Sequence, residues 1–365
     1  SRCADTPARP GPGLLANAML RISEDLDGLS SEWLSHVLAA PVEAVTVLDA
    51  HAGTTGRALL QVEYAGTTDL PERLFVKLPP TDEMQRAFVV SSGMGLREST
   101  FYASLSAELP VRVPRCYFAA SEDSGEQYIM LLENLEDSGC TFQNASTRYS
   151  LDYVREVLTE FAKLHAAYWD SPRFDGDLSW LQPPLQHEIA VQLIARSLEL
   201  HAADMPPVFK AMGDLYLSRA DAIHELWKRG APTVIHGDVH DANLFYDGDR
   251  PGFLDWALVA RGPAMRDVGY FLAGTLPEAD QRASGRALLE HYRKQLTVFG
   301  APAPDIDELW QQYQWHAAYV WVGAAVTLAM GDAWQPINYV LSSLEKLHTS
   351  MEILGSVDAI GAALS

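Results

Sequence analysis

The spacing of the hydrophobic residues changes once along the chain, and this change constrains the fold more than any other feature. From Ala44 to Leu78 and from Cys116 to Leu132, apolar residues form short strand-like runs, separated by turns rich in Gly, Thr, Asp and Ser. The runs are AVTVLD, ALLQVEY, RLFVKL, CYFAA and EQYIMLL. They predict five strands, the first three in an antiparallel meander, with one helix around Arg97 to Leu109 before the fourth.

Beyond Glu133 the spacing becomes helical. Ser150 is a typical N-cap residue, and apolar residues recur after it at Val154, Leu158 and Phe161, on one face of a helix. Only the stretch from Thr233 to Asp255 remains strand-like, with LFYD and PGFLD resembling a short hairpin. Further helices are predicted over 186–203, 207–229, 277–298 and 306–330.

The length of 365 residues exceeds what one hydrophobic core usually holds. Together with the change in spacing, it predicts an α+β chain with two lobes. We expect a flexible tail over residues 1–20, which are rich in Pro and Gly. A small lobe over residues 21–134 should hold an antiparallel sheet and one key helix, and a larger, mostly helical lobe should cover residues 135–365.

The charge and the cysteines limit the possible partners. The 27 Lys and Arg against 48 Asp and Glu give a net charge of −21, which opposes binding to nucleic acid or an anionic membrane and favours cationic or neutral partners. The most apolar segment, YVWVGAAVTLAM, is too short to span a bilayer. Cys3, Cys116 and Cys140 lack CxxC spacing and are odd in number, as expected for reduced thiols. We expect a cytoplasmic protein that binds neither nucleic acid nor membranes.

The acidic stretch VIHGDVHDANLFYDGDRPGFLDW, residues 234–256, carries the chemistry. Asp238 precedes Asn243 by five positions, and Asp255 ends the following apolar run. Phosphoryl transfer needs a carboxylate that orients the attacking hydroxyl and accepts its proton, and oxygen ligands that hold Mg²⁺ against nucleotide phosphates. Asp238 suits the first role, and Asn243 with Asp255 suits the second.

Residues 236–243, HGDVHDAN, resemble the catalytic loop of the aminoglycoside phosphotransferase and choline kinase-like family, which shares the protein kinase-like fold. Asp255 and Trp256 are similar to that family's magnesium-binding Asp-Phe/Trp pair. RGPAMRDVGYFL resembles its G-x-P-x-x-D segment, in which Asp267 is mainly structural. The resemblance covers about residues 44 to 275. It implies a small-molecule kinase that uses ATP or GTP with Mg²⁺ and phosphorylates an alcohol, with antibiotic modification among the roles it allows.

The resemblance also implies a nucleotide site in the small lobe. Lys77 in RLFVKLPP would bind the phosphates, and Glu98 in ESTFYASL would hold it. The hinge between the lobes, around Glu133 and Leu135, would bind adenine through backbone groups. The turn between the first two strands lies where a loop that caps the phosphates belongs, although it is equally compatible with a simple hairpin turn. Its residues are Gly53, Thr54, Thr55, Gly56 and Arg57.

Gly237 departs from the protein-kinase pattern. It replaces the arginine that contacts a phosphorylated activation loop in regulated protein kinases, and the chain has no A-P-E segment. We therefore expect no such phosphorylation switch.

Two other classes of protein remain open at this point. His236, Asp238, His240 and Asp255 could be the ligands of a metal-dependent hydrolase, although that leaves Lys77 and Asn243 without a role. A kinase fold that binds without turnover is the other alternative. Magnesium-dependent consumption of ATP would separate the three.

The acceptor is the least constrained feature. The segment Glu308 to Met330 carries three tryptophans and two tyrosines, partly core and partly a candidate substrate wall, and Trp334 and Tyr339 follow it. Residues 310–344 contain one acidic residue, Asp332, whereas an aminoglycoside pocket needs many carboxylates; carboxylates elsewhere could compensate. We predict an acceptor that is largely apolar or carries at most one positive charge.

Overall fold

The computed structural model describes residues 22, 25–52, 55–142, 149–184, 188–332 and 334–365. The predicted tail over 1–20 lies outside the described residues, as do Cys3, Gly53 and Thr54. Cys116 and Cys140 are free thiols.

A five-stranded antiparallel sheet forms the first part of the chain. Its order is β1-β2-β3-β5-β4, so the predicted meander of the first three strands is present, but the fifth strand inserts beside the third. The strands are β1 (Val42–Ala52), β2 (Gly56–Tyr64), β3 (Arg73–Leu78), β4 (Cys116–Ser121) and β5 (Tyr128–Glu133).

The alternation of side chains along β3 positions its lysine. Leu74, Val76 and Leu78 point to one face of the sheet, where they pack in a core that includes Leu34. Because successive side chains of a strand point to opposite faces, Lys77 points to the other face, toward the helix that carries Glu98.

Within the ranges described above, three helices, and not one, accompany this sheet: α1 (Ser31–Val37), α2 (Glu83–Ser92) and α3 (Met94–Ser104). Gly93 has a left-handed backbone, with φ of 66°, that ends α2 and begins α3. The helix predicted around Arg97 to Leu109 is α3, which begins earlier and ends at Ser104, followed by a short 3₁₀ turn over Ser106–Glu108.

The second part is mostly helical. The described residues of this part form the helices α4 (Leu151–Ala167), α5 (Glu188–His201), α6 (Pro207–Leu226), α7 (Met265–Thr275), α8 (Glu278–Val298), α9 (Ile306–Met330), α10 (Ile337–Leu354) and α11 (Ser356–Ala363). The helix predicted from Leu151 and the four further predicted helices are present, and the Ser150 side chain caps α4 by accepting the N–H of Tyr153. The sequence prediction did not include α7, α10 and α11.

Two small strand pairs interrupt the helices. β6 (Pro232–Ile235) pairs with β9 (Ala260–Pro263), and the predicted hairpin forms from β7 (Leu244–Asp247) and β8 (Arg250–Phe253). The division into lobes at residue 134 stays a prediction; β5 ends one residue before it. None of the helices that the described residues form has both the length and the apolar character needed to cross a bilayer.

Candidate active site

A buried ion pair joins the sheet to α3. The Nζ of Lys77 donates to both carboxylate oxygens of Glu98, at 2.7 and 2.5 Å, and the two side chains are 4% and 1% exposed. Burial alone would lower the pKa of Lys77, but the charges of Asp255 and Glu98 outweigh it and raise the pKa. Lys77 is therefore a fixed cation, and Glu98 is the partner that the sequence predicted.

Asp255 reaches the same lysine from the second part of the chain. Its Oδ1 accepts from Lys77 at 3.1 Å and its Oδ2 from Arg57 at 3.2 Å. Burial would raise the pKa of Asp255, but the charges of Lys77 and Arg57 hold it at about 2. The backbone of Asp255 is left-handed, with φ of 62°, an uncommon conformation for a residue other than glycine that is associated with functional sites.

The residue after Asp255 ties it to α3. The N–H of Trp256 donates to Glu98 Oε1 at 3.2 Å, and the Trp256 ring stacks on Phe101 with centroids 4.4 Å apart. This bond and the lysine satisfy the buried Glu98 carboxylate from two sides. The three charged groups are thus held together by packing as well as by charge.

Asp238 and Asn243 meet in the loop after β6. The amide Nδ2 of Asn243 donates to the backbone oxygen of Asp238 at 2.8 Å and to its Oδ2 at 3.3 Å. Tyr270 donates its hydroxyl to Asp238 Oδ1 at 2.9 Å. Burial, and next the charge of Asp238, raise the pKa of Tyr270 well above its usual value, so the hydroxyl remains a donor. Asp238 itself is 31% exposed and accessible to an acceptor.

His236 braces this loop. Burial lowers its pKa, so the ring is neutral near pH 7. Its Nε2 donates to the Leu254 carbonyl at 2.9 Å, and its Nδ1 accepts the N–H of Asp238 at 3.2 Å. One ring therefore sets the distance between the backbone of Asp238 and the segment that leads to Asp255.

Asp267 anchors the start of the loop. Fully buried, it accepts the backbone N–H of His236 at 2.7 Å and of Gly237 at 2.9 Å, and it lies 3.3 Å from the Nε2 of His165. Burial would raise the pKa of Asp267, but the hydrogen bond from His165 and its other polar contacts lower it. Asp267 contacts the loop backbone and not Asp238, which agrees with the structural role implied by the resemblance.

Gly237 has a local reason to be glycine. Its φ is 85°, and a Cβ there would lie 2.5 Å from the carbonyl oxygen of Leu258. A side chain would strain the loop whatever its charge. The missing arginine is thus a steric requirement as well as a departure from regulated kinases.

The remaining predicted nucleotide residues lie around this centre. Thr55 is buried and Gly56 begins β2, opposite the end of β3. The Glu133 carboxylate bonds Arg112 at 2.6 Å, so its side chain serves the fold. The Leu135 carbonyl accepts the N–H of Cys140 at 3.0 Å, and the Leu135 side chain is buried. The adenine-binding role of Glu133 and Leu135 stays a prediction.

The described residues do not support the alternative of a metal-dependent hydrolase. Both ring nitrogens of His236 bind backbone groups, and within the described ranges no group of three or more His, Cys, Asp or Glu could hold a metal ion. Magnesium differs, because it is commonly bound by one or two protein oxygens together with substrate phosphates. The Asp255 carboxylate and the Oδ1 of Asn243, which is left when Nδ2 donates to Asp238, are the hard oxygen donors that such a site needs.

The sequence did not predict two of the contacts that the site carboxylates make. Arg57, paired with Lys77 across β2 and β3, contacts Asp255, and Tyr270 on α7 contacts Asp238. Tyr270 follows Asp267 by three positions, less than one helical turn, so recognising α7 would have placed it near the loop. Arg57 was predicted only as a residue of the turn between the first two strands, and no local signal indicates its contact with Asp255.

Comparison with known proteins gives the same fold. The chain is similar to a candidate aminoglycoside phosphotransferase of Ralstonia eutropha JMP134, with 14% identity, a TM-score of 0.56, and 90% of this chain and 97% of that chain covered. The GDP complex of wild-type aminoglycoside 2'-phosphotransferase-IIIa matches with 12% identity, a TM-score of 0.50 and coverages of 87% and 96%. Choline kinase LicA of Streptococcus pneumoniae matches with 13% identity, a TM-score of 0.50 and coverages of 89% and 97%. The predicted kinase-like fold is confirmed.

Sequence comparison identifies the family. Among curated proteins, none matches the chain. The model of the phosphotransferase enzyme family APH matches residues 60–306, about two thirds of the chain. The matched region includes β3 with Lys77, α3 with Glu98 and the loop with Asp238. The chain therefore belongs to the phosphotransferase enzyme family, as the sequence predicted.

Proposed function

We propose that this protein transfers the γ-phosphate of ATP or GTP to a hydroxyl group of a small molecule. The observation that carries the proposal is the contact of Lys77 with both Glu98 and Asp255, beside a loop in which Asp238 is accessible. A purely structural cluster would have no need for a second carboxylate in a left-handed backbone conformation. The GDP complex of aminoglycoside 2'-phosphotransferase-IIIa is the reason for including GTP.

In this reaction the residues act mainly by positioning. The acceptor oxygen bonds to the γ-phosphorus while the bond to the β–γ bridging oxygen breaks, and the nucleoside diphosphate leaves with that oxygen. Asp238 orients the acceptor hydroxyl and takes its proton, and Tyr270 and Asn243 hold the carboxylate in place. Lys77, kept cationic by its two carboxylates, binds nucleotide phosphate oxygens.

Asp255 and Asn243 would hold Mg²⁺, which when bound neutralises the charge of the nucleotide phosphates. Thr55 and Gly56 with the preceding Gly53 and Thr54 would cap the phosphates, and the hinge at Glu133 and Leu135 would bind the base. Because Asp255 is fully ionised well below neutral pH, its ligand strength would not change between pH 5 and 8.

The test is transfer to a panel of alcohols with ATP or GTP and Mg²⁺. The panel comprises aminoglycosides, choline, macrolides, sugars and sterol-like alcohols, with the phosphorylated product identified by mass spectrometry. Asp238→Asn is the matched control, because the amide oxygen can still accept from Tyr270. We expect that variant to lose turnover by a factor of about 10² or more while binding nucleotide within a few-fold of the parent.

Two results would count against the proposal. Near-normal turnover of Asp238→Asn would remove the base. Nucleotide binding without transfer to any acceptor would instead favour a kinase fold that binds without turnover.

A further inference from the structure

A large cavity opens beside Asp238. It has a volume of about 750 Å³ and lies between the catalytic loop, α3, α7, α9 and α10. Most of its wall is apolar, as in typical small-molecule sites. Among the apolar lining residues are Phe88, Met94, Leu193, Val320, Val326 and Val340. Tyr319 and Tyr339, from the aromatic segment noted in the sequence, line it, whereas Tyr313, Trp315 and Trp321 are buried.

Arg266 is the unusual residue of this wall. The side chain is 4% exposed, and its Nε has no hydrogen-bond partner. Its guanidinium carbon lies 3.4 Å from the centre of the Tyr319 ring, a cation–π contact that offsets part of the cost of burial. Arg97 from α3, half-buried, lines the same cavity. Across the described ranges, no hydrogen bond or ion pair joins either guanidinium to an acidic side chain.

This arrangement is unexpected in a chain with 48 acidic and 27 basic residues. A buried cation without an anionic partner is costly, and buried arginines are usually paired. Arg266 also lies in the first turn of α7, where the helix dipole disfavours positive charge. Burial, followed by the charge of Arg266, lowers the pKa of His224 to about 4 and of His316 to about 3, so both rings are neutral. The charge of Arg266 thus calls for an anion from outside the chain.

Helix α7 relates the position of Arg266 to that of the reacting group at Asp238. Arg266 and Tyr270 are four residues apart, so they share one face of the helix with Cβ atoms roughly 5–6 Å apart. Tyr270 bonds Asp238 at 2.9 Å, and Tyr319, under the guanidinium of Arg266, lies beside the Tyr270 ring with centroids 6.4 Å apart. An anion on Arg266 and a hydroxyl at Asp238 would therefore lie in the same cavity, next to side chains on one face of α7.

We propose that the acceptor is an apolar hydroxy acid, whose hydroxyl lies at Asp238 and whose carboxylate binds Arg266 and Arg97. This inference rests on the proposed function, since it assigns the substrate class of the same site. The planar guanidinium of Arg266 matches a carboxylate in geometry, and the carboxylate oxygens would accept hydrogen bonds from the guanidinium, whose Nε–H has no acceptor among the described residues. The apolar wall binds the body of the acceptor.

The proposal revises the expectation drawn from the net charge. The value of −21 and the aromatic segment favoured a neutral or singly cationic acceptor, but net charge describes the whole surface. Among the Lys, Arg, Asp and Glu side chains that line the cavity, Arg97, Arg266 and Lys346 outnumber Asp238 and Asp241, so its lining, unlike the whole chain, carries a net positive charge that disfavours an ammonium group. Choline-like and aminoglycoside acceptors would bring a positive charge into this positively charged cavity.

The test is binding of matched ligands to the full-length protein by calorimetry. The probes are a series of ω-hydroxy fatty acids, their methyl esters and the corresponding ω-amino alcohols. They share the hydroxyl and the apolar body and differ in charge. We expect the acid of the best-fitting length to bind at least about tenfold more tightly than its ester, equivalent to about 1.4 kcal/mol, and the amino alcohol to bind most weakly.

Arg266→Met should abolish this preference, and Arg266→Lys should restore part of it. Arg282→Met is the matched control, because Arg282 is an exposed arginine of α8 paired with Glu278. The preference should survive in that control. Arg266→Met should also unfold at a temperature equal to or above that of the parent, because it removes a buried unpaired charge.

Any of four results would overturn the proposal. They are equal affinity for the acid and its ester, a preference for the amino alcohol, no binding by any member of the series, and an acid preference that persists in Arg266→Met. A large loss of stability in Arg266→Met would also do so, since it would indicate a structural partner for the arginine. Magnesium-dependent ATP binding, measured on the same samples, distinguishes failure of the proposed function from failure of this inference. If ATP binds and the acid is not preferred, this inference fails and the proposed function stands. If ATP fails to bind and the acid is preferred, the proposed function fails, and with it the assignment of the acid as the acceptor, while the carboxylate site at Arg266 stands.

Discussion

Lys77→Met should destabilise the protein by an amount that depends on pH. The substitution keeps the length of the side chain but leaves Glu98, 1% exposed, without its cation, whereas Asp255 retains Arg57. A buried unpaired carboxylate takes up a proton, since burial disfavours the charged form. A buried ion pair contributes little net stability compared with apolar side chains of similar size. The cost of the variant is therefore set mainly by the cost of protonating Glu98 in the folded state.

The magnitude follows from the usual pKa of Glu98, 4.5. Neutralising such a group costs about 1.4 kcal/mol for each pH unit above that value, so at pH 7 the limit is about 3.5 kcal/mol. At pH 5 the same reasoning leaves only about 0.7 kcal/mol. In the variant the folded-state pKa of Glu98 is raised above its unfolded value, so the destabilisation is smallest in acid and grows as the pH rises.

Urea unfolding of the parent and the variant between pH 5 and 8 would measure this difference. The double variant Lys77→Met with Glu98→Gln is the control, because glutamine does not titrate and the pH dependence attributed to Glu98 should disappear. A loss that is the same at all pH values in Lys77→Met would refute the reasoning. So would a loss at pH 7 far above about 3.5 kcal/mol, because protonation would then not limit the cost.

Four further predictions concern the loop and its supports. Asp255→Ala should abolish the magnesium-dependent gain in ATP binding seen by calorimetry, and an unchanged gain would remove Asp255 from the metal site. Tyr270→Phe should lower kcat about fivefold, the value of one hydrogen bond to Asp238, with no change in the KM for ATP; unchanged kinetics would show that this bond is dispensable. Gly237→Arg should destabilise by at least about 2 kcal/mol in urea, since its left-handed backbone and the nearby carbonyl leave no room for a Cβ; a stability equal to the parent would contradict this. Asp267→Ala should cost about 3–5 kcal/mol, because the two buried N–H groups lose their acceptor; a loss below about 1 kcal/mol would mean that water replaces the carboxylate.

Much of the fold could be predicted from the local spacing of hydrophobic residues, wherever a single periodicity dominates. β2 and α4 are each buried on one side only, so their residues alternate with the period of the element. α7 was missed because it is buried on nearly all sides, including Met265, Val268 and Phe271, and such a helix has no polar face to reveal its period. The order of β4 and β5 was also not predicted, because both have strand-like patterns and neither pattern indicates which strand lies beside it.

The candidate site also combines residues at local spacing with residues that only long-range packing brings together. The spacing of Asp238, Asn243 and Asp255 is fixed by a single hairpin, so a short stretch of sequence contains it. Arg57 and Tyr270 contact these carboxylates from residues 198 and 32 positions away, and pairing over such separations follows from strand register and helix packing.

The sequence by itself determined the two-part architecture, the family and the identity of the charged residues, because periodicity and short motifs are local properties of a chain. Only the tertiary structure decided that Lys77 lies between Glu98 and Asp255, and that Arg266 faces the cavity without an acidic partner. Net charge sums over the whole molecule and predicted cationic or neutral partners. The field inside a cavity depends on the few side chains that line it, and these are brought together only when α3, α7 and α9 pack.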